Sequence, residues 1–165
     1  MEMKLDYKYP DGDRPTLFEE ALKFQDFVTD LLLKELGLVV SAYSSRYYQY
    51  NFGESRQGIE IKLDMRMSDT GNISIEVAEK SRASIEHWTP SGIMRDDNTW
   101  LYIQGNYNTI YIFGKKFLRQ LYEARYINSV RDAKSTLRAF LMPRTEADKY
   151  CLRRIDIEKS VKYVV

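Results

Sequence analysis

The chain has 165 residues, 44% of them hydrophobic and 30% charged, a length and balance that suit one folded domain over residues 1–165 and exclude a disordered segment. One cysteine and one histidine exclude an internal disulfide framework, a multi-histidine zinc site and a histidine-based nuclease. A net charge of +1 excludes a uniformly basic nucleic-acid binder.

The first residues, MEMKLDYKYP, are too polar for a signal peptide. No apolar run reaches the roughly 18 residues of a membrane span, so a cytoplasmic protein is expected. TLFEEALKFQDFVTDLLLKELG then predicts an amphipathic helix: Thr16 and Glu19 form a capping box, Gly37 supplies the stop, and Leu17, Ala21, Phe24, Val28, Leu31 and Leu32 recur on one face. LVVSAY and RYYQYNF are β-branched or aromatic and predict one strand or two. GIEIKLDMRM alternates Ile59, Ile61 and Leu63 with Glu60, Lys62 and Asp64. ISIEVAEK alternates again, Ile73, Ile75 and Val77 against Glu76, Ala78 and Lys80, after the turn formers SDTGN. Two alternating runs around Asp69-Thr70-Gly71 predict a β-hairpin. TWLYIQG and TIYIFG, joined by Asn106-Tyr107-Asn108, predict a second. FGKKFLRQLYEARY predicts a helix with Phe117, Leu118, Leu121 and Tyr122 inward, TLRAFLMP a strand, TEADKYCLRR a short helix, and IDIEKSVKYVV a last strand. The fold class is α/β (α+β), a central mixed β-sheet flanked by helices.

The first hairpin gathers the chemistry. A turn centred on Thr70 sets Asp64 opposite Glu76, Glu60 opposite Lys80 and Lys62 opposite Ala78, with facing Cβ atoms about 4.5–5.5 Å apart. Carboxylates that close repel unless a cation lies between them. Lysines supply one, and so does Mg²⁺, a hard ion that takes one or two carboxylates plus water and phosphate oxygens. Asp64 and Glu76, with Glu60, are therefore candidate metal ligands. Lys62 or Lys80 is placed to orient or help deprotonate an attacking water and to stabilise charge building on phosphate. A solvated sheet face with ladder-supporting ion pairs is the competing explanation.

GESRQGIEIKLDMRMSDTGNISIEVAEK, from Gly53 to Lys80, resembles the active-site hairpin of the PD-(D/E)XK (restriction-endonuclease-like) nucleases, which carry an acid on one strand and Glu-x-Lys or Asp-x-Lys on the next. QGIE is similar to the Q-x-G-I-D form of the first motif with Glu60 as its acid, and ISIEV to the start of the second with Glu76. The chain lacks a Pro-Asp pair, and the second-motif lysine position holds Ala78, leaving Lys62 or Lys80 to supply the ammonium. A rival alignment takes Glu60-Ile61-Lys62 as the Glu-x-Lys and Glu54 as the upstream acid. It ranks lower because Glu54 adjoins a turn glycine and Glu76 then has no role.

The resemblance implies a restriction-endonuclease-like core, a cytoplasmic Mg²⁺- or Mn²⁺-dependent nuclease acting on DNA rather than RNA, and a homodimer where both strands are cut. It also implies an outer carboxylate on the first helix, with Glu19, Glu20 and Asp26 as candidates. The alternative is a nuclease-fold protein without catalysis, serving as a nucleic-acid-binding or protein-interaction module.

Charge is unevenly spread: Lys115–Val165 carries 13 Lys/Arg against 6 Asp/Glu, and the preceding residues 12 against 18. An acidic half suits a cation and a basic half suits phosphate, with Lys115, Lys116 and Arg119 as candidate phosphate contacts. The 13 tyrosines fit either base stacking or amphipathic strand filling. His87 and Cys151 read as structural.

Overall fold

Leucine-rich periodicity and a left-handed stop define the first element. The computed structural model describes residues 17–157, with side chains from Glu19 onward. Helix α1 (Leu17–Leu36) ends at Gly37, whose φ of 65° only glycine adopts without strain, and the Gly37 amide donates to the Leu33 carbonyl. The Thr16 side of the capping box lies outside the described residues. Phe24, Val28, Leu31 and Leu32 are buried, and Ala21 is half-buried.

These side chains cover one face of a mixed sheet of β1 (Ile59–Leu63), β4 (Leu101–Gly105), β5 (Thr109–Gly114) and β8 (Arg153–Asp156), in that spatial order. β1 runs parallel to β4, and the other neighbours are antiparallel. Ile59, Ile61, Leu101, Ile103, Ile110, Ile112 and Ile155 pack against α1. Each such buried aliphatic contributes roughly 1.5–3 kcal/mol. The expected second hairpin is β4–β5, with Asn106 Oδ1 accepting from the Asn108 and Thr109 amides to close the turn.

A second sheet, not anticipated from the sequence, lies on the opposite face. It is antiparallel and holds β3 (Thr89–Pro90), β2 (Asn72–Glu79), β7 (Leu137–Pro143) and β6 (Arg131–Lys134), in that order. Ile73, Ile75, Val77, Phe140 and Met142 meet Tyr102, Tyr111 and Phe113 of the first sheet in a separate core. Helix α4 (Lys115–Leu121), running into a π turn over Tyr122–Tyr126, adds Leu118 and Leu121, and α5 (Arg144–Tyr150) adds Ala147. Phe117, expected inward, is exposed. The chain is thus α+β, with helix, mixed sheet and antiparallel sheet in successive layers. No helix among the described residues is long and apolar enough to cross a membrane.

Two sequence expectations are corrected. RYYQYNF is helix α2 (Arg46–Phe52), not a strand: Ser45 caps it by accepting from the Tyr48 amide, and Gly53 ends it. LVVSAY contributes only an isolated bridge, Ala42 to Ser55. The hairpin between Glu60 and Lys80 does not form. Met67–Thr70 coil into a helical turn, α3, that ends on left-handed Gly71, so β1 and β2 leave it in different sheets.

Candidate active site

Alternation decides which face of β1 carries charge. With Ile59 and Ile61 committed to the α1 core, Glu60 and Lys62 take the face toward the second sheet, paired in register with Tyr102 and Gln104 of β4. The segment before β1 is clamped to it: Ser55 Oγ accepts from the Ile59 amide and donates to the Ile59 carbonyl, both at 2.8 Å, and Asn98 Nδ2 donates to the Ser55 carbonyl. That clamp holds Glu54 beside the strand.

Lys62 Nζ lies 2.9 Å from Glu54 Oε1, to which it donates a hydrogen bond, and 2.9 Å from Glu60 Oε1. The second contact is an ion pair by distance alone. Among the described residues neither Glu60 oxygen has a hydrogen-bond partner, although the side chain is only 1% exposed. The Tyr102 hydroxyl is likewise buried without a partner among the described residues. Carboxylates buried without donors are costly and persist where something offsets them. Burial works against charge on Lys62, but Glu60, Glu54, Glu76 and Tyr102 together outweigh it and hold the ammonium well above the ordinary lysine range. Burial, then the fields of Glu60 and Glu76, push the Tyr102 phenol well up, so it stays protonated. Arg95, paired with Glu79 at 3.0 Å, sits in the field of Glu60, Glu79 and Glu76, which raise its pKa against the effect of burial.

Glu76 acts on this group by its charge from the second sheet. It precedes an irregularity in the β2–β7 register, where the Ser91 amide bonds to the Val77 carbonyl. The turn Gly92–Met94 packs directly on it: at Gly92, φ 52°, a Cβ would lie 2.4 Å from the Glu76 carbonyl oxygen and 2.7 Å from its Cβ. Gly92→Ala is expected to lower stability by about 2 kcal/mol in urea denaturation, through backbone strain and the displacement of Glu76.

Several expected site residues stand elsewhere. Asp64 and Glu76 do not face each other across a hairpin. Asp64 Oδ2 instead accepts from the Ser74 amide at 2.9 Å and from Gln104 Nε2 at 3.3 Å, bracketing the edge of β2 to the first sheet. Lys80 donates to the Ala83 carbonyl and lies 4.7 Å from the Trp88 ring centroid, not beside Glu60, and Ala78 pairs with Pro90 and Arg138 rather than Lys62. Lys115 is buried, bonded to Asp97 Oδ1 at 2.6 Å and to the Arg95 carbonyl at 2.8 Å. Arg119 donates to the Ile93 and Arg95 carbonyls. Both therefore hold the Ile93–Asp97 segment on α4, and of the three expected phosphate contacts only Lys116 is exposed. Glu19 and Asp26 are exposed on α1, Glu20 is half-buried, and none of the three forms the ion pairs of Lys62. His87 is exposed, and burial raises the Cys151 thiol above its ordinary value.

The ion pairs bring Glu54, Glu60 and Lys62 together, with Tyr102 in register beside Glu60, while Glu76 and Arg95 act on them through charge alone. Glu54 belonged only to the lower-ranked alignment, and Arg95 and Tyr102 were missed. The alternation of WLYIQG was legible, but Tyr102 comes beside Glu60 only because β1 pairs with β4.

Among the described residues, no three His, Cys, Asp or Glu side chains gather closely enough to hold a metal ion. Mg²⁺ needs less, since one or two carboxylates suffice when water and phosphate complete the shell. The undonated oxygens of Glu60 fit that partial role. Comparison with known proteins finds no matching family, curated protein or solved structure.

Proposed function

We propose that the protein is a metal-dependent nuclease that hydrolyses DNA phosphodiester bonds, with Glu60-Ile61-Lys62 as its Glu-x-Lys. The observation that carries this reading is Glu60: a buried carboxylate with two undonated oxygens beside a lysine kept charged. Mg²⁺ or Mn²⁺ would be held by Glu60, with Glu76, whose charge reaches the same lysine, as the candidate second carboxylate, and when bound would supply Lewis acidity toward phosphate and a more acidic water.

The remaining roles belong to the chain. Lys62, kept protonated, acts as a fixed cation for charge developing on the phosphate, in place of the proton-abstracting role open to it from sequence. Glu54 fixes the Lys62 ammonium by its hydrogen bond. Tyr102 offers a protonated hydroxyl donor, and Arg95, paired with Glu79, a second cation in the field of Glu60 and Glu76.

The competing reading is a nuclease-fold module without catalysis, favoured by the absence of a three-carboxylate group among the described residues. Calorimetry with Mn²⁺ separates the two. The nuclease binds Mn²⁺, Glu76→Ala weakens that binding by about 10-fold or more, and plasmid, single-stranded or branched DNA is cut only with metal. DNA binding with no Mn²⁺ heat and no cleavage would establish the inactive module.

A further inference from the structure

Helix α2 buries none of its residues. Apolar surface normally pulls a helix onto a core, yet α2 carries Tyr47, Tyr48, Tyr50 and Phe52 and keeps all four exposed, Tyr47 at 68% and Tyr50 at 67%. The rings are ordered among themselves. Tyr48 stacks on Tyr43 at 5.7 Å between centroids and on Phe52 at 5.5 Å, and Tyr47 stands edge-on to Tyr48. The helix is fixed at both ends, by the Ser45 cap and by the Asn98 amide donating to the Phe52 carbonyl. Gln49 adds a bond from Nε2 to the Tyr43 carbonyl. The result is an exposed aromatic ridge tied down at both ends.

We propose that this ridge is a stacking platform for the unpaired bases of a single-stranded DNA segment. Three observations select that occupant. Every base has a π face, and aromatic side chains held on a fixed element bind successive bases without sequence readout. The charge is complementary to a phosphate backbone: residues 37–53 contain no carboxylate, and the Arg56 guanidinium lies 5.8 Å from the Tyr43 ring centroid. The ridge is also continuous with the candidate active site, because α2 runs through Gly53 into Glu54, the residue bonded to Lys62. A strand laid along α2 would lead toward Glu60. Its direction thus rests on the nuclease reading, but the binding itself does not.

The test is fluorescence anisotropy with a labelled oligothymidylate and a duplex of equal length, in EDTA at low salt, so that binding is read without cleavage. Wild type is expected to prefer the single strand, with affinity falling as salt rises. Tyr47→Ala and Tyr50→Ala should each weaken binding by about 5-fold or more. Tyr47→Trp should retain affinity, whereas Tyr47→Leu, equally apolar but without a π face, should not. Because α2 buries nothing, all four variants should melt with wild type. Binding by both alanine variants equal to wild type, full rescue by leucine, or self-association of wild type that these substitutions abolish would overturn the platform. Single-strand binding without any metal-dependent cleavage would leave it standing and remove the nuclease instead.

Discussion

Lys62→Met is expected to destabilise the protein by about 3 kcal/mol, while Glu60→Gln leaves the melting temperature unchanged or raises it. The ammonium is 27% exposed and is the only cation within ion-pairing distance of either Glu54 or Glu60 among the described pairs. Its removal leaves two carboxylates side by side, one of them buried, and an uncompensated charge of that kind costs about 3–5 kcal/mol in a dry interior, less where water reaches. At this chain length each kcal/mol corresponds to about 2–4 °C, so Lys62→Met should melt roughly 6–12 °C lower in a thermal scan. Glu60→Gln works in the opposite direction. It removes a buried charge whose oxygens receive no hydrogen bond, and it leaves Lys62 bonded to Glu54. Sites kept for activity commonly carry such a stability deficit, and neutralising them relieves it. Equal damage from both substitutions would show that Glu60 is present only to anchor the lysine.

Lys115→Met should cost about 3–5 kcal/mol, because Asp97 is then left buried without its partner. It also removes one of the two donors to the Arg95 carbonyl, leaving Arg119, so the Ile93–Asp97 segment loses part of its attachment to α4. The pH dependence gives a second readout. Burial alone would raise the Asp97 carboxyl, but the hydrogen bond and charge of Lys115, with the Thr99 amide, outweigh it and hold the group below its ordinary 3.8. A carboxyl depressed in the folded state stabilises the protein above its unfolded value and loses that contribution as pH falls through the folded one. Wild type should therefore lose this increment below about pH 4. In Lys115→Met the same carboxyl is raised by burial, so the sign reverses and its deficit against wild type shrinks on acidification. Urea midpoints at pH 7 and pH 4 check both statements. A deficit that does not change between the two would contradict the pairing.

Local features of the fold were legible wherever a single element sets its own geometry. The α1 stripe through Phe24, Val28 and Leu32 follows from 3.6-residue periodicity, and the β4–β5 hairpin from an asparagine turn between alternating strands. What alternation cannot specify is the partner. It assigned the faces of β1 and β2 correctly, since Ile59 and Ile61 are buried as one set and Ile73, Ile75 and Val77 as another. The two sets, however, fill different cores. SDTGN has turn chemistry, but Met67 is drawn into the core between the sheets and winds Met67–Thr70 into a helical turn, which breaks the hairpin. Every cross-strand inference made from that register fell with it, including Asp64 opposite Glu76 and Lys80 beside Glu60. Glu60 and Lys62 lie side by side because they share one strand two residues apart, a relation that no pairing error alters. For α2, seven residues rich in tyrosine read as strand by propensity, and the Ser45 cap decided otherwise. The buried fate of Lys115 was hidden because its partner Asp97 lies on a segment that only tertiary packing brings to α4.

Cleavage of plasmid, single-stranded and branched DNA with Mn²⁺, by wild type and Glu60→Gln side by side, bears most directly on the Glu60–Lys62 centre. Wild type should cut at least one of the three forms, and the variant, folded and at least as stable, should cut it about 100-fold or more slowly. Equal rates from the two proteins, or no cutting of any form by wild type, would contradict a catalytic role for that centre.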